Sequence, residues 1–518
     1  MALKDITLHQ QLAGTVEKYP DDPFAIWADT NHIQTWKDLD NASNAIAKAL
    51  IAHCIRPGGH VGIWSTKRPV FTDTLYGVLK AGGVFIPYNY SYKAAEFAGQ
   101  LSESDTELLI LTEGTPNNAF ADVIASLDRG AFPKLQTIVW AGNADTPAGM
   151  VSYADFLAAG EIVSDSSLQA AGAAVTPQDT ALIMYTSGTT GTPKGVMLSH
   201  YSVVNAANVY AYDYLKGSHA DVSHTVLPLH HMGGLLNLFA LIEHGAASVM
   251  REHADIKQMY MDAVQYRCTV AYYVPLMCMA FLKIASTGAP KPPWRALGVG
   301  ADRCPPEILS AFTSVFNCTI IHTLAPTESG CLMNILEVTP GRKDHLDTVG
   351  LTVPDAEVRL ADNGEILVRG WMNMQGYYGH PELTASVIEP DGFLHTGDLG
   401  EILPDGYLRF KGRVKDLIIS GGSNISALEV EEVLLTYPGI RECAVVGIPD
   451  AMYGELPVAA VAAADPAAAP PADALLSYAQ EHLAAYKVPS TVYFLPALPR
   501  NSTGKIDKAQ VKAYIAQQ

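Results

Sequence analysis

The chain has 518 residues, of which 48% are hydrophobic and 17% charged, and a formal net charge of −19. That length exceeds what one hydrophobic core usually supports, so a large body and at least one further domain are expected. The acidic balance argues against sequence-independent grip on nucleic acid or on an anionic membrane, both of which favour clustered Lys and Arg.

The first residues, MALKDITLHQQLAG, lack the basic start and apolar core of a secretory signal. No apolar run reaches the ~20 residues that span a bilayer, and even GGLLNLFALIEHGAASVM is interrupted by Glu243 and His244. The cysteines, from Cys54 to Cys443, are scattered and form no CxxC pair, which fits reduced thiols. The expectation is a cytoplasmic protein, monomer or homodimer, with small-molecule partners, no nucleic acid and no membrane span.

In chain order, Leu39, Ser43, Ile46 and Leu50 recur at near-helical spacing until Pro57-Gly58-Gly59 stops them. VGIW reads as a strand, VFTDTLYGVLKAG as a helix, and VFIPYN, ELLILT and TIVWAG as short buried strands. The pattern continues through SHTVLPLHHMGG, TVAYYVP, ALGVGAD and TIIHTLAPTESG. Each of these runs ends in small or polar residues, where open α/β sheets place ligand contacts. From about residue 350, EVRLADNGEILVRG and YLRFKGRVKDLIIS alternate like half-exposed strands around Asn363-Gly364 and Asp405-Gly406 turns. Past Asp416 a shorter α+β unit is expected: SALEVEEVLLTYPG as a helix, ECAVVGIPD as a strand, DALLSYAQEHLAAY as a helix. AAADPAAAPPADA reads as a surface loop.

The stretch from Tyr185 to His200, YTSGTTGTPKGVMLSH, follows a strand and offers bare backbone, hydroxyls and one lysine. Those are the parts of a phosphate cradle. Pro193 before Lys194, and the lack of Ser or Thr after it, exclude the usual Walker pattern.

This stretch resembles the signature phosphate loop of the adenylate-forming superfamily of AMP-dependent synthetases and ligases. PLHHMGG, LGVGADRCPPEIL, APTESG, LHTGDLG, YLRFKGRVKDLIISGGSNISALEVE and LPRNSTGKIDK resemble further motifs of that family, in its order, from 185 to 508. TWKDL and GVLKAGGVFIPYN extend the likeness towards the N-terminus. The resemblance is closest to acyl-CoA synthetases, and coronafacate-ligase-like amide bond synthetases share the same motifs.

The fold implied is α/β. A large N-terminal domain of helix-covered, largely parallel sheets with a β-rich subdomain, over 1–414, binds ATP and the acyl group. A small mobile α+β lid follows over 415–518, carrying the catalytic lysine, with the hinge at Lys415.

The site residues follow from the same resemblance. Thr186, Ser187, Gly188, Thr189, Thr190, Gly191 and Lys194 are expected on the β- and γ-phosphates. Glu328, beside Thr327, is expected on Mg²⁺, Asp398 on the ribose, and Arg413 on the ribose or α-phosphate. Gly300, Ala301 and Asp302 should wall the adenine. Lys505 should bridge the substrate carboxylate and the α-phosphate. His231, Met232, Gly233, Tyr273, Val274, Met277, Gly298 and Leu324 should line an apolar acyl pocket, His231 also gating it.

Two departures from the family pattern stand out. Leu324 replaces a tyrosine that stacks on adenine, and His230 replaces a phenylalanine. The implied activity is activation of a hydrophobic acid (alicyclic, aryl or medium-chain) as acyl-AMP, with release of pyrophosphate and transfer to coenzyme A. An amine acceptor is the alternative. A non-catalytic acyl-nucleotide module, a carrier-protein-loading unit and luciferase-type oxygenation are the other readings.

Overall fold

A computed structural model describes residues 2–186, 193–302, 304–330, 332–420, 423–450, 452–501 and 505–518. The chain divides into two compact units, Met1–Glu357 with Val368–Leu394, and Val358–Leu367 with His395–Gln518. Residues 395–413 thus group with the C-terminal unit by compactness.

The N-terminal unit is built on two large sheets. In the nine-stranded one, the strands Ala296–Val299, Val270–Tyr273, Val222–His224 and Ala247–Met250 are consecutive neighbours, and all pair in parallel. In the eight-stranded one, Val84–Pro87, His60–Trp64, Leu108–Leu111 and Thr137–Trp140 do the same. Antiparallel strands close both edges of the nine-stranded sheet and one edge of the eight-stranded sheet, whose other edge strand, Val151–Ser152, pairs in parallel. Apart from partly exposed residues at the starts of Thr137–Trp140, Val222–His224 and Ala247–Met250, these strands are buried. This is why they read as continuous apolar runs rather than alternations.

Helices cover the sheets for reasons visible in the sequence. Thr35 and Asp38 form a capping box at the start of Trp36–Ala52, and Leu39, Ser43, Ile46 and Leu50 all fall on its buried face. Gly58, at φ 81°, turns the chain into the next strand. Trp64 stacks between Phe97 and Phe120, at ring distances of 3.8 and 3.9 Å.

The C-terminal unit contains an antiparallel pairing of residues 398–402 with 408–413 and a five-stranded sheet. The helices Ala427–Leu435 and Ala472–His482 form as expected. The expected loop at 462–474 is corrected in part, because a strand at Gly454–Ala463 takes its first two residues, and Val458–Ala463 are entirely buried. Small side chains are what the centre of this sheet requires, since helices pack on it closely. Pro466–Ala468, which follows, is exposed, as expected.

Candidate active site

The strands Thr180–Thr186 and Lys194–Ser199 pair antiparallel, with Thr186 opposite Lys194. The two ends of the glycine-rich stretch are therefore held side by side. Ser187, Gly188, Thr189, Thr190 and Gly191 lie outside the described residues.

From Lys194 a chain of contacts runs to Glu328. The Lys194 ammonium stands 5.2 Å from the ring centroid of Tyr377, and the Tyr377 hydroxyl donates to Glu328 Oε1 at 3.2 Å. Tyr377 is a buried strand residue paired with Val196. Burial, with Glu328 beside it, raises its pKa, so it stays a neutral donor. Glu328 sits on a 3₁₀ turn, Thr327–Ser329, and its backbone carbonyl accepts from Met374 N at 2.8 Å. Sequence reading missed Tyr377, because nothing in its local spacing ties it to residues 49 and 183 positions away.

Three of the expected glycines converge on one side chain, Tyr272. A Cβ at Gly298 would stand 2.0 Å from the Tyr210 hydroxyl and 2.4 Å from Tyr272 Cδ2. One at Gly300 would stand 2.2 Å from the Tyr272 hydroxyl, and one at Gly233 would lie 3.8 Å from the same ring. Tyr272 also shares a 2.6 Å hydrogen bond with Thr323 Oγ1.

Tyr273 is corrected on this point. Strand alternation turns it to the opposite face, where it is fully buried among Phe281 and Trp294, with its hydroxyl 2.9 Å from His224 Nδ1. The pair Tyr272-Tyr273 gave no sequence cue to which face looked where. Gly298→Ala should accordingly sharply reduce acid-dependent turnover, because its Cβ requires Tyr210 and Tyr272 to move. Comparing kcat/KM and melting temperature checks this: unchanged turnover would remove Gly298 from the pocket.

His231 is the N-cap of the helix Met232–Ala240, so Met232 and Gly233 open its first turn. The His231 ring lies 4.2 Å from that of His230, which is buried edge-on against Tyr90. Burial holds His230 well below the usual histidine pKa, and hence neutral. Val274 caps the helix Pro275–Ser286, and Met277 is half-buried in its first turn.

Leu324 ends its strand opposite Asn334, half-buried and next to Thr323. Ala301 is exposed at φ 67°, a left-handed conformation uncommon outside glycine, and Asp302 follows it, also exposed.

In the C-terminal unit, Asp398 and Arg413 are register partners, and Arg413 Nε lies 3.2 Å from Asp398 Oδ1. Asp398 is 4% exposed. Glu365 braces this segment by accepting from the Gly397 N–H at 2.9 Å. Lys505 and Asn501 exchange hydrogen bonds at 2.9 and 3.1 Å. Lys415 lies in a 3₁₀ turn, Val414–Asp416.

The AMP-binding enzyme family matches residues 12–378, and the AMP-binding enzyme C-terminal domain matches 429–505. A ligase of Rhodococcus jostii, 3-[(3aS,4S,7aS)-7a-methyl-1,5-dioxo-octahydro-1H-inden-4-yl]propanoyl:CoA ligase, is 32% identical over 92% of either chain. A feruloyl-CoA synthase of Amycolatopsis is 31% identical over 92% of this chain and 93% of its own. Among solved structures, a Mycobacterium tuberculosis fatty acyl CoA synthetase superposes with a TM-score of 0.75 at 26% identity, covering 99% of this chain and 98% of that one.

Proposed function

Since this chain belongs to the AMP-binding enzyme family and is an ATP-dependent, AMP-forming acid–thiol ligase, we propose that its acid is hydrophobic, alicyclic, aryl or medium-chain, and that the residues described above divide the chemistry as follows.

A carboxylate oxygen attacks the α-phosphorus, the bond from that phosphorus to the β-phosphate bridge breaks, and pyrophosphate leaves. Lys194, with Thr186 opposite it, stabilises charge developing on the departing phosphates. Lys505 neutralises the repulsion between the acid carboxylate and the α-phosphate, and Asp398 accepts from the ribose hydroxyls once Arg413 turns to the nucleotide.

Glu328 fits a Mg²⁺ ligand: its hard oxygens suit that ion, and the Tyr377 hydroxyl orients one of them. The ion, when bound, would neutralise charge on the β- and γ-phosphates. In the second step the coenzyme A thiolate attacks the acyl carbon, the acyl–phosphate C–O bond breaks, and AMP leaves. Lys415 is the pivot between the two steps.

The observation that carries this reading is the Lys194–Tyr377–Glu328 alignment, which links the phosphate-loop lysine to the expected metal carboxylate. An apolar acid is favoured by the pocket residues, which are glycines, Met232, Met277, Leu324 and the Tyr272 ring. A ketone or phenol on the acid would suit the phenolic hydroxyls of Tyr210 and Tyr272. The amine acceptor is not favoured, because the named relatives are coenzyme A ligases. Cytoplasmic placement follows from the supply of ATP and coenzyme A there.

The test offers purified protein Mg²⁺-ATP, coenzyme A and a panel of alicyclic, aryl and medium-chain acids, with products read by mass. Acyl-CoA from one of these hydrophobic classes is expected. Preference for short charged acids would overturn the substrate assignment.

A further inference from the structure

The N-terminal unit holds a cavity of about 460 Å³ whose lining includes none of the expected nucleotide- or acid-binding residues. Three strand ends meet around it: Lys67 follows His60–Trp64, His224 ends Val222–His224, and Arg251 follows Ala247–Met250. Tyr90, Leu229 and His230 complete much of the wall.

Most charges there are matched. Arg251 holds Asp262 in a two-pronged pair at 2.7 and 2.9 Å and reaches Asp29 at 3.1 Å. Arg68 holds Glu252 at 2.7 Å and Glu113 as well. Lys67 differs. It is 7% exposed, and its ammonium donates to the Thr225 carbonyl at 2.7 Å. Among the described residues no carboxylate forms an ion pair with it.

Asp29 acts on Lys67 only from a distance, and burial brings the amine down to about 7. An ammonium has three protons to donate, and one is spent on Thr225. A bound anion would hold this amine protonated and accept from the donor positions that Thr225 leaves.

We propose that this cavity is a second small-molecule site, for a monocarboxylate with an apolar body, whose carboxylate accepts from Lys67 and whose body lies against Tyr90 and Leu229. A single amine that gains one proton on binding calls for a single negative charge. A phosphate dianion would bring one charge too many beside Glu252, Asp255 and Asp262, which also line the space. The site lies one ring from the expected acyl pocket, because His230 lines the cavity and contacts His231. Its ligand is then of the same chemical class as the proposed acid substrate, bound here without being activated. The inference rests on the proposed function only for that last point and for the blocking compound used to test it.

The experiment is equilibrium dialysis of benzoate against the full-length protein, with the acyl-adenylate site filled by the sulfamate analogue of benzoyl-AMP. Wild type should bind a further equivalent of benzoate, Lys67→Met should bind it at least about tenfold more weakly, and inorganic phosphate should not compete. Without ligand, Lys67→Met should melt close to the wild-type temperature, because relief of the buried amine's desolvation offsets the lost hydrogen bond to the Thr225 carbonyl.

Absence of the further equivalent, or equal binding by the variant, would overturn the site. Competition by phosphate would overturn the carboxylate assignment. A lower melting temperature for Lys67→Met, with no further benzoate bound to wild type, would reduce Lys67 to a structural donor to Thr225. If the analogue itself fails to bind, the acid-ligase reading is at fault, and the dependence of benzoate binding on Lys67 is then read directly.

Discussion

Lys505→Ala should lower acid-dependent pyrophosphate release by about 10²–10³-fold, the usual consequence of removing one preorganised charge-stabilising donor. The reason is electrostatic. The attacking carboxylate and the α-phosphate are both anionic, and a cation between them lowers the barrier only while they approach. Once acyl-AMP exists that repulsion is gone, so a supplied acyl adenylate should be converted to acyl-CoA at close to the wild-type rate. Of the hydrogen bonds between Lys505 and Asn501, one is donated by the Asn501 N–H to the Lys505 carbonyl and the other by the Lys505 N–H to Asn501 Oδ1, so both use the lysine backbone. Removing the side chain should therefore leave both of these backbone hydrogen bonds in place. Equal loss in both steps would contradict the assignment.

Glu328→Gln should reduce kcat/KM for Mg²⁺-ATP by about 10²-fold or more, since a charged oxygen ligand is replaced by a neutral amide. The shape is kept, and Tyr377 can still donate to the amide oxygen at that position. The loss should therefore be relieved in part by raising the magnesium concentration, whereas a folding defect would not be. Tyr377→Phe should show a smaller loss of the same kind, because it only orients Glu328. Magnesium-independent loss in Glu328→Gln would remove this residue from the metal site.

The parallel centres of both N-terminal sheets were legible because strands buried on two faces read as short apolar runs ending in glycine or polar turns. Capping residues such as Thr35 and Asp38 marked helix starts directly. The strand Gly454–Ala463 was only partly legible, since the alanines that fit a tightly packed sheet centre have the same composition as a low-complexity loop.

The site divides in the same way. Lys194, Glu328, Asp398, Arg413 and Lys505 each stand in a motif. The side chains that orient them come from distant parts of the chain, and only folding brings them in: Tyr377 to Glu328, and Glu365 to the Gly397 backbone. Tyr272 was hidden by its neighbour. Two adjacent tyrosines on a buried strand are indistinguishable in sequence, although one faces Gly298 and Gly300 and the other the aromatic core.

The central claim is that the acid is activated at the α-phosphorus before coenzyme A takes part. Isotope exchange between pyrophosphate and ATP, measured with magnesium and a turned-over acid but without coenzyme A, tests it most directly. Rapid exchange that depends on the acid and is lost in Lys505→Ala is the predicted result. Exchange that requires coenzyme A, or formation of ADP and phosphate in its place, would contradict it.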